Sequence, residues 1–399
     1  MKALRKLLDN IKPHVEKGGK FHALHAGFDA VETLFYVPNT VTKKGAHIRD
    51  AIDLKRTMFV VVIALIPTLL FGMWNIGHQH FLSIGEAAEG TMFDFFLFGF
   101  IKMLPLIIVS YVVGLGLEII FAQSRGHEVN EGFFVSGMLI PLIVPIDTPL
   151  WMVAIAVAFA VIIGKEVFGG TGMNIWNPAL IARAFLFFAY PSDMSGDKIW
   201  VEGLSDLSVV ADGFSGATPL AVMAAEAGET VTNFASGIGN WSIMELIIGS
   251  YPGSIGETSV IAIGIGALIL LFTGVGSWKV MFSTVAGGLA MGFLFNVLAP
   301  ADHVFMNMPA YFHLIIGGFA FGAVFMATDP VSATQTSTGK YIYGFLIGVI
   351  AVIIRVFNPA YPEGMMLSIL LLNTFAPLID FYVVQGNIKR RLKRIKVNA

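Results

Sequence analysis

The sequence predicts an all-α integral membrane protein of about ten transmembrane helices, arranged as two inverted five-helix repeats behind an amphipathic cytoplasmic N-terminal segment. Composition is the first observation behind this. Of 399 residues, 56% are hydrophobic and 13% charged, and mean hydropathy is +0.76. Soluble domains carry roughly a quarter of their residues as charges, so a soluble enzyme is excluded. One span takes about 20 apolar residues, and half of this chain supplies ten of them, which excludes a single-pass receptor. Continuous apolar runs, rather than ten-residue alternations, exclude a β-barrel. The second observation is where the charge falls. Residues 1–56 hold eleven Lys and Arg against six Asp and Glu, and the last eleven residues hold six basic residues from Lys389 to Lys396 and no acid. The positive-inside rule places both ends in the cytoplasm, so the number of spans is even. The third is an internal echo. Asn177-Pro178-Ala179 returns as Asn358-Pro359-Ala360, and the segment from Gly132-Phe133 to Pro145 returns as Gly318-Phe319 to Pro330.

Taken in order, residues 1–56 form a cytoplasmic segment in which Leu4, Leu7, Leu8 and Ile11 share a helical face before Pro13, among Arg5 and lysines. That pattern suits a helix lying on the membrane or docking on a partner, with a solvated helix as the plainer alternative. A charged opening without an apolar core is not a secretory signal. The first repeat, 57–191, holds spans at 57–76, 95–121, 132–147, 149–168 and 177–191. The connection 192–257 carries one lysine, Lys198, against nine acids and falls outside by the parity of the spans. The second repeat, 258–384, holds spans at 258–274, 279–299, 310–327, 341–357 and 365–384, and 385–399 is a basic tail. Arg125, His127, Lys165, Arg183, Lys279 and Lys340 lie on or near inside-facing connections in this scheme. Five spans per half is an odd number, so the halves are inverted, and inverted repeats with short interrupted segments are the pattern of transport folds with a site near the midplane.

Chemistry-bearing residues are few. There is no Cys, so thiolate-held iron–sulfur clusters and disulfides are excluded, and any redox centre here is organic. The nine histidines show no ligand spacing, so no transition-metal site is expected. In the outside connection, Asp212-Gly213-Phe214-Ser215-Gly216-Ala217-Thr218 surrounds a hydroxyl with small residues that leave room for a bulky ester; read alone it is a Gly-rich loop. Asn174 and Asn177 offer amide donors and acceptors at the mouth of the fifth span, although Asn177 before Pro178 also reads as a helix cap. Glu118, Asp329 and Asp380 fall inside spans, where an ionisable group is a functional candidate by default. Their carboxylates suit a hard monovalent cation, or a cap or an ion pair at the interface. Phe321 and Phe325 share a helical face beside Gly317, Gly318 and Gly322, as an apolar constriction gating an ion or as plain packing. Gly169-Gly170-Thr171-Gly172 is a weak phosphate-cradle signal.

The string ending at Thr218 resembles the flavinylation motif of membrane subunits of bacterial respiratory complexes. Leu34-Phe35-Tyr36, His47 to Arg56, His127 to Phe134, Lys165 to Asn177, Ala327 to Ser332 and Asn358 to Met366 extend the likeness almost end to end. Together they resemble the B-subunit family of the Na⁺-translocating NADH:quinone oxidoreductases. The homologous D subunit of the Rnf ferredoxin:NAD⁺ complex shares the motif but has a shorter N-terminus.

The resemblance implies covalent flavin mononucleotide (FMN) joined through its phosphate to Thr218, with Asp212, Gly213, Ser215, Gly216 and Ala217 as its motif. It implies a non-covalent riboflavin next to Asn174 and Asn177, a ubiquinone region at Gly114 and Glu118, and a sodium route by way of Asp329, Asp380, Phe321 and Phe325. Electrons would pass from FMN through riboflavin to ubiquinone, coupled to Na⁺ export. Partners implied are the other subunits of a complex of about six, carrying FAD, iron–sulfur centres and a second covalent FMN, together with a periplasmic flavin transferase. The setting implied is the bacterial inner membrane and its lipid, with no nucleic acid. NADH oxidation belongs to a partner, because no dinucleotide-binding βαβ pattern is present. A non-redox channel or transporter stays open on the repeat alone.

Overall fold

The computed structural model describes residues 2–15, 25, 27–28, 32–33, 36, 42–48, 52–86, 90–126, 132–204, 210–211, 214–225, 234, 236–300, 303–358 and 362–397. Helices dominate: α1 Lys2–Val15, α2 Leu54–Ser83, α3 Met92–Arg125, α4 Phe133–Ile143, α5 Leu150–Ile162, α6 Pro178–Ala189, α7 Pro219–Ala225, α8 Ile243–Ile248, α9 Val260–Phe272, α10 Trp278–Leu298, α11 Val304–Asn307, α12 Phe312–Ile315, α13 Phe319–Phe321, α14 Ser337–Phe357 and α15 Met365–Val397. A two-residue hairpin pairs β1 Gly237–Ile238 with β2 Trp241–Ser242. Among the described residues six helices are long and apolar enough to cross a membrane, and α4, α6 and α9 are shorter apolar helices.

The long helices outrun the sequence expectation at their ends. Span 57–76 is part of a 30-residue helix, and span 95–121 is part of a 34-residue helix that begins with a Thr91/Asp94 capping box and ends at Gly126 in the left-handed region, φ 70°. Glycine decides how closely they pack. A Cβ on Gly99 of α3 would stand 1.8 Å from the Met73 carbonyl oxygen of α2, and one on Gly348 of α14 would stand 2.1 Å from the Thr284 carbonyl oxygen of α10. Without a hydrophobic force between helices in lipid, such close approach is what holds them.

Of the two segments that echo each other in the sequence, one is a short helix and the other is broken. Helix α4 ends at Ile143, four residues short of the expected 147, and its 11 residues rise about 16 Å, half the hydrocarbon thickness. The expected span 310–327 is interrupted more severely, into α12, α13 and a π-turn at Gly322–Met326. Freed backbone groups at membrane depth need partners. Arg355, fully buried, supplies them on one side, donating to the carbonyls of His313 at 2.6 Å and Ile316 at 3.1 Å. On the other side the Glu363 carboxylate accepts the Gly318 N–H at 3.0 Å.

One buried ring from each of these two segments meets the protein in a matching way. The Phe133 ring fills the space over Gly114 of α3, and the Phe319 ring fills the space over Gly288 of α10. In the leader, α1 is tied down by Arg5 and Lys12, whose nitrogens lie 3.0 and 2.9 Å from the Glu32 carboxylate. Leu8 and Val15 are buried while Leu7 and Ile11 stay exposed, so the expected apolar face is only partly covered. Leu34 and Phe35 lie outside the described residues.

Candidate functional site

Helix α6 positions the site because one cavity opens at its start and another at Arg183, midway along it. Its start is fixed locally: the Asn177 Oδ1 accepts the Ala179 N–H at 3.0 Å and the Leu180 N–H at 3.4 Å, with Pro178 at the first helical position. The capping alternative for Asn177 is thus realised, and it engages the amide oxygen. The Asn177 cavity is also lined by Asn174, Lys165, Thr171, Phe325 and Asp329. Asn174 donates its amide to the Trp176 carbonyl at 2.9 Å. The π-turn brings Phe325 to the cavity wall, and the Phe321 ring packs on it with centroids 5.0 Å apart at 49°. Asp329 closes the segment as a local cap, accepting from the Ser332 hydroxyl at 2.5 Å and the Val331 N–H at 3.4 Å.

Glu118 is one step behind this wall. Its carboxylate pairs with Lys165, both nearly fully buried, and Lys165 reaches the cavity. Arg125 donates to the neighbouring Glu166 carboxylate at 2.7 Å, steadying the turn in which Gly169, Gly170 and Gly172 have positive φ. Asp380 does not join this group. Its carboxylate accepts from the Gln335 N–H at 2.7 Å and from the Thr336 hydroxyl at 2.5 Å, ahead of α14.

The second cavity is lined by Thr218 together with Arg183, Ser254, Glu257, Thr258 and Glu363. Thr218 is partly exposed, and its Oγ1 accepts the Ala221 N–H at 3.1 Å. Gly216 is held so closely that a Cβ there would sit 2.2 Å from the Asp197 carbonyl oxygen, and the Ser215 hydroxyl accepts the Ala217 N–H at 3.3 Å. Asp212 and Gly213 lie outside the described residues. Arg183 donates to Glu257 at 2.8 Å, and both are buried. Burial raises the Glu257 carboxyl above its usual range, against the pull of Arg183.

Lys165 and Arg183, expected near inside-facing connections, are each buried in an ion pair, where a cation reports its partner. Sequence reasoning also missed Asn373 and Tyr343. With the Asn373 nitrogen turned to donate to the Tyr343 hydroxyl at 2.5 Å, its oxygen accepts the Asn177 N–H at 3.2 Å. The only signal available was an amide in an apolar span. Among the described residues no group of three His, Cys, Asp or Glu could hold a metal ion.

Residues 41–389 match the NQR2, RnfD, RnfE family. The chain belongs to this family. Its relatives in the NQR2, RnfD, RnfE family include the B subunit of the Na⁺-translocating NADH-quinone reductase of Ectopseudomonas mendocina, 48% identical over 412 residues that cover 98% of this chain and 99% of that protein. The B subunits of the same name from Chromohalobacter salexigens and Klebsiella pneumoniae are 47% and 46% identical, again over 98% of this chain and over 96% and 99% of their own lengths. Family relatives of this name therefore also cover most of the basic leader that precedes residue 41.

Proposed function

We propose that this chain is the membrane subunit of a sodium-translocating NADH:quinone reductase that carries electrons from FMN on Thr218, by way of riboflavin at Asn174 and Asn177, to ubiquinone, coupled to Na⁺ export. The observation that carries the reading is the layout of α6. Asn177 at its start belongs to one cavity and Arg183, six residues or about 9 Å further along, belongs to the other. Two organic groups held there would face each other through one short helix.

The residues present fit such groups. The Asn177 cavity is a largely apolar slot with amides and hydroxyls at its rim, suited to a neutral ring system. The Thr218 cavity places a hydroxyl beside a buried guanidinium, suited to an anionic phosphoester. Bound flavins exchange electrons singly or in pairs and so bridge one-electron carriers to quinone. The chain's part is placement. Phe325 at one cavity and Phe321, whose ring lies against Gly256 next to Glu257 of the other, form an apolar partition. In this reading Asp329 lies on the sodium route beside that partition, Asp380 lies further along it, and Gly114 with Glu118 borders the quinone region.

The matching of Phe133 over Gly114 with Phe319 over Gly288 supports two inverted repeats, 57–191 and 258–384, in a ten-span scheme with the broken segments counted as spans. The setting is the bacterial inner membrane with both termini cytoplasmic. Partner subunits supply FAD, iron–sulfur centres and a second covalent FMN, and a periplasmic transferase attaches the flavin to Thr218.

The test is a denaturing gel of the purified complex viewed for flavin fluorescence. A fluorescent band at this subunit, absent in Thr218→Ala, is the expected result, alongside ubiquinone reduction by NADH that rises with Na⁺. A dark band in the unsubstituted chain would overturn the flavin path.

A further inference from the structure

Asn373 of α15 stands where two buried donors compete for one oxygen. Its side chain is 1% exposed, and Tyr343 of α14 is fully buried. In one orientation of the amide, the oxygen accepts the Tyr343 O–H at 2.5 Å, and the NH₂ group then faces the Asn177 N–H, donor against donor. In the other, the oxygen accepts the Asn177 N–H at 3.2 Å, while the nitrogen donates to the Tyr343 hydroxyl oxygen at 2.5 Å and to the Ile369 carbonyl at 3.3 Å. Only the second orientation satisfies the amide, but it leaves the Tyr343 proton with no acceptor on Asn373. It is therefore favoured when that proton finds an acceptor of its own. The Asp329 carboxylate, just after the π-turn, is near enough for its charge to act on the Tyr343 hydroxyl. A bare carboxylate draws the proton away from Asn373, and a cation bound to the carboxylate cancels that pull.

We infer that Tyr343 and Asn373 are positioning residues that form a two-position hydrogen-bond relay, by which a cation at Asp329 loosens the start of α6 at Asn177. The inference rests on the reading of Asp329 as a residue of the sodium route and of Asn177 as a residue of the electron path. With Asp329 bare, the Tyr343 proton turns to its carboxylate, and the Asn373 oxygen holds the Asn177 N–H. With Na⁺ on Asp329, the Tyr343 proton returns to the Asn373 oxygen, the amide reverses, and the Asn177 N–H loses its acceptor. No proton is transferred and no covalent bond changes; a hydroxyl and an amide rotate. The relay is a bistable element biased by one local change of charge. It also works in reverse: negative charge arriving on the electron side that draws on the Asn177 N–H favours Na⁺ at Asp329 by the same factor.

The experiment is infrared difference spectroscopy of the purified complex with Na⁺ against K⁺, using ring-¹³C tyrosine to mark the tyrosine C–O stretch, which reports whether the hydroxyl donates or accepts. Ubiquinone reduction by NADH is followed at the same Na⁺ concentrations. The expected result is a Na⁺-induced shift of a tyrosine band that disappears in Tyr343→Phe, a change that removes only the hydroxyl. In that variant the stimulation of quinone reduction by Na⁺ falls about fivefold or more. Asn373→Asp, whose carboxylate accepts from both donors at once, ends the competition and is expected to lose the band shift too. It decides the matter if Tyr343→Phe does not accumulate. A complex stimulated by Na⁺ in which no tyrosine band shifts, or in which the shift persists in whichever of these variants accumulates, overturns the relay alone. An unsubstituted complex that Na⁺ does not stimulate overturns the sodium-route reading and the relay together.

Discussion

Asp147 shows how one residue couples the fold to pH. It sits in the turn between α4 and α5, beside Glu202 of the long connection, and Lys102 of α3 pairs with that same Glu202. Burial, followed by the Glu202 carboxylate, pushes Asp147 up to about 8, while hydrogen bonds from Asp147 and Lys102 hold Glu202 low even though burial opposes them. The folded chain then keeps on Asp147 a proton that the unfolded chain releases near its ordinary value. Stability from this group is complete below about pH 4 and is lost as pH rises through about 8. Between about pH 5 and 8 the melting temperature of the detergent-solubilised protein should fall more steeply in the native chain than in Asp147→Asn. Parallel slopes in a thermal scan would remove Asp147 from this role.

At the scale of elements, α10 against α14 is a contact that tolerates little change. A Cβ on Gly348 would lie 2.1 Å from the Thr284 carbonyl oxygen and 2.5 Å from the Gly288 nitrogen, both backbone atoms that cannot rotate away. Gly264 of α9, also within an apolar helix, has nothing within 4 Å of the same position. Gly348→Ala should therefore cost about 3 kcal/mol, the upper part of the overpacking range, whereas Gly264→Ala should be neutral or slightly stabilising. Comparison of the two melting temperatures tests the contrast, and equal values would mean that the helices separate without loss. The same logic explains why the break at 316–318 survives: Arg355 and Glu363 satisfy the groups that it frees.

At the scale of the whole molecule, the absence of cysteine makes orientation directly measurable. Asn240, in the hairpin turn of the long connection, and Lys393, near the end of α15, are both exposed. With both termini cytoplasmic and the connection outside, a membrane-impermeant maleimide should label Asn240→Cys in intact spheroplasts and Lys393→Cys only after lysis. The reversed labelling order would invert the topology. In the proposed electron path, orientation decides which of the two cavities on α6 meets the electron first.

The order of residues along the chain is enough to say that it lives in a membrane, where its long helices run, and that Asn177-Pro178 opens a helix. These follow from local rules: in lipid a backbone must satisfy itself within its own segment, so composition and length are enough to find a helix. Which distant groups meet is settled only when the chain packs. Arg183 pairs with Glu257 across 74 residues, and Tyr343 meets Asn373 beneath Asn177. Asp380, legible only as an acid at membrane depth, reaches 44 residues back to cap Thr336. The break in the span 310–327 likewise depends on Arg355 and Glu363 arriving from later in the chain. Such contacts are set by tertiary packing, and no periodicity along the chain encodes them.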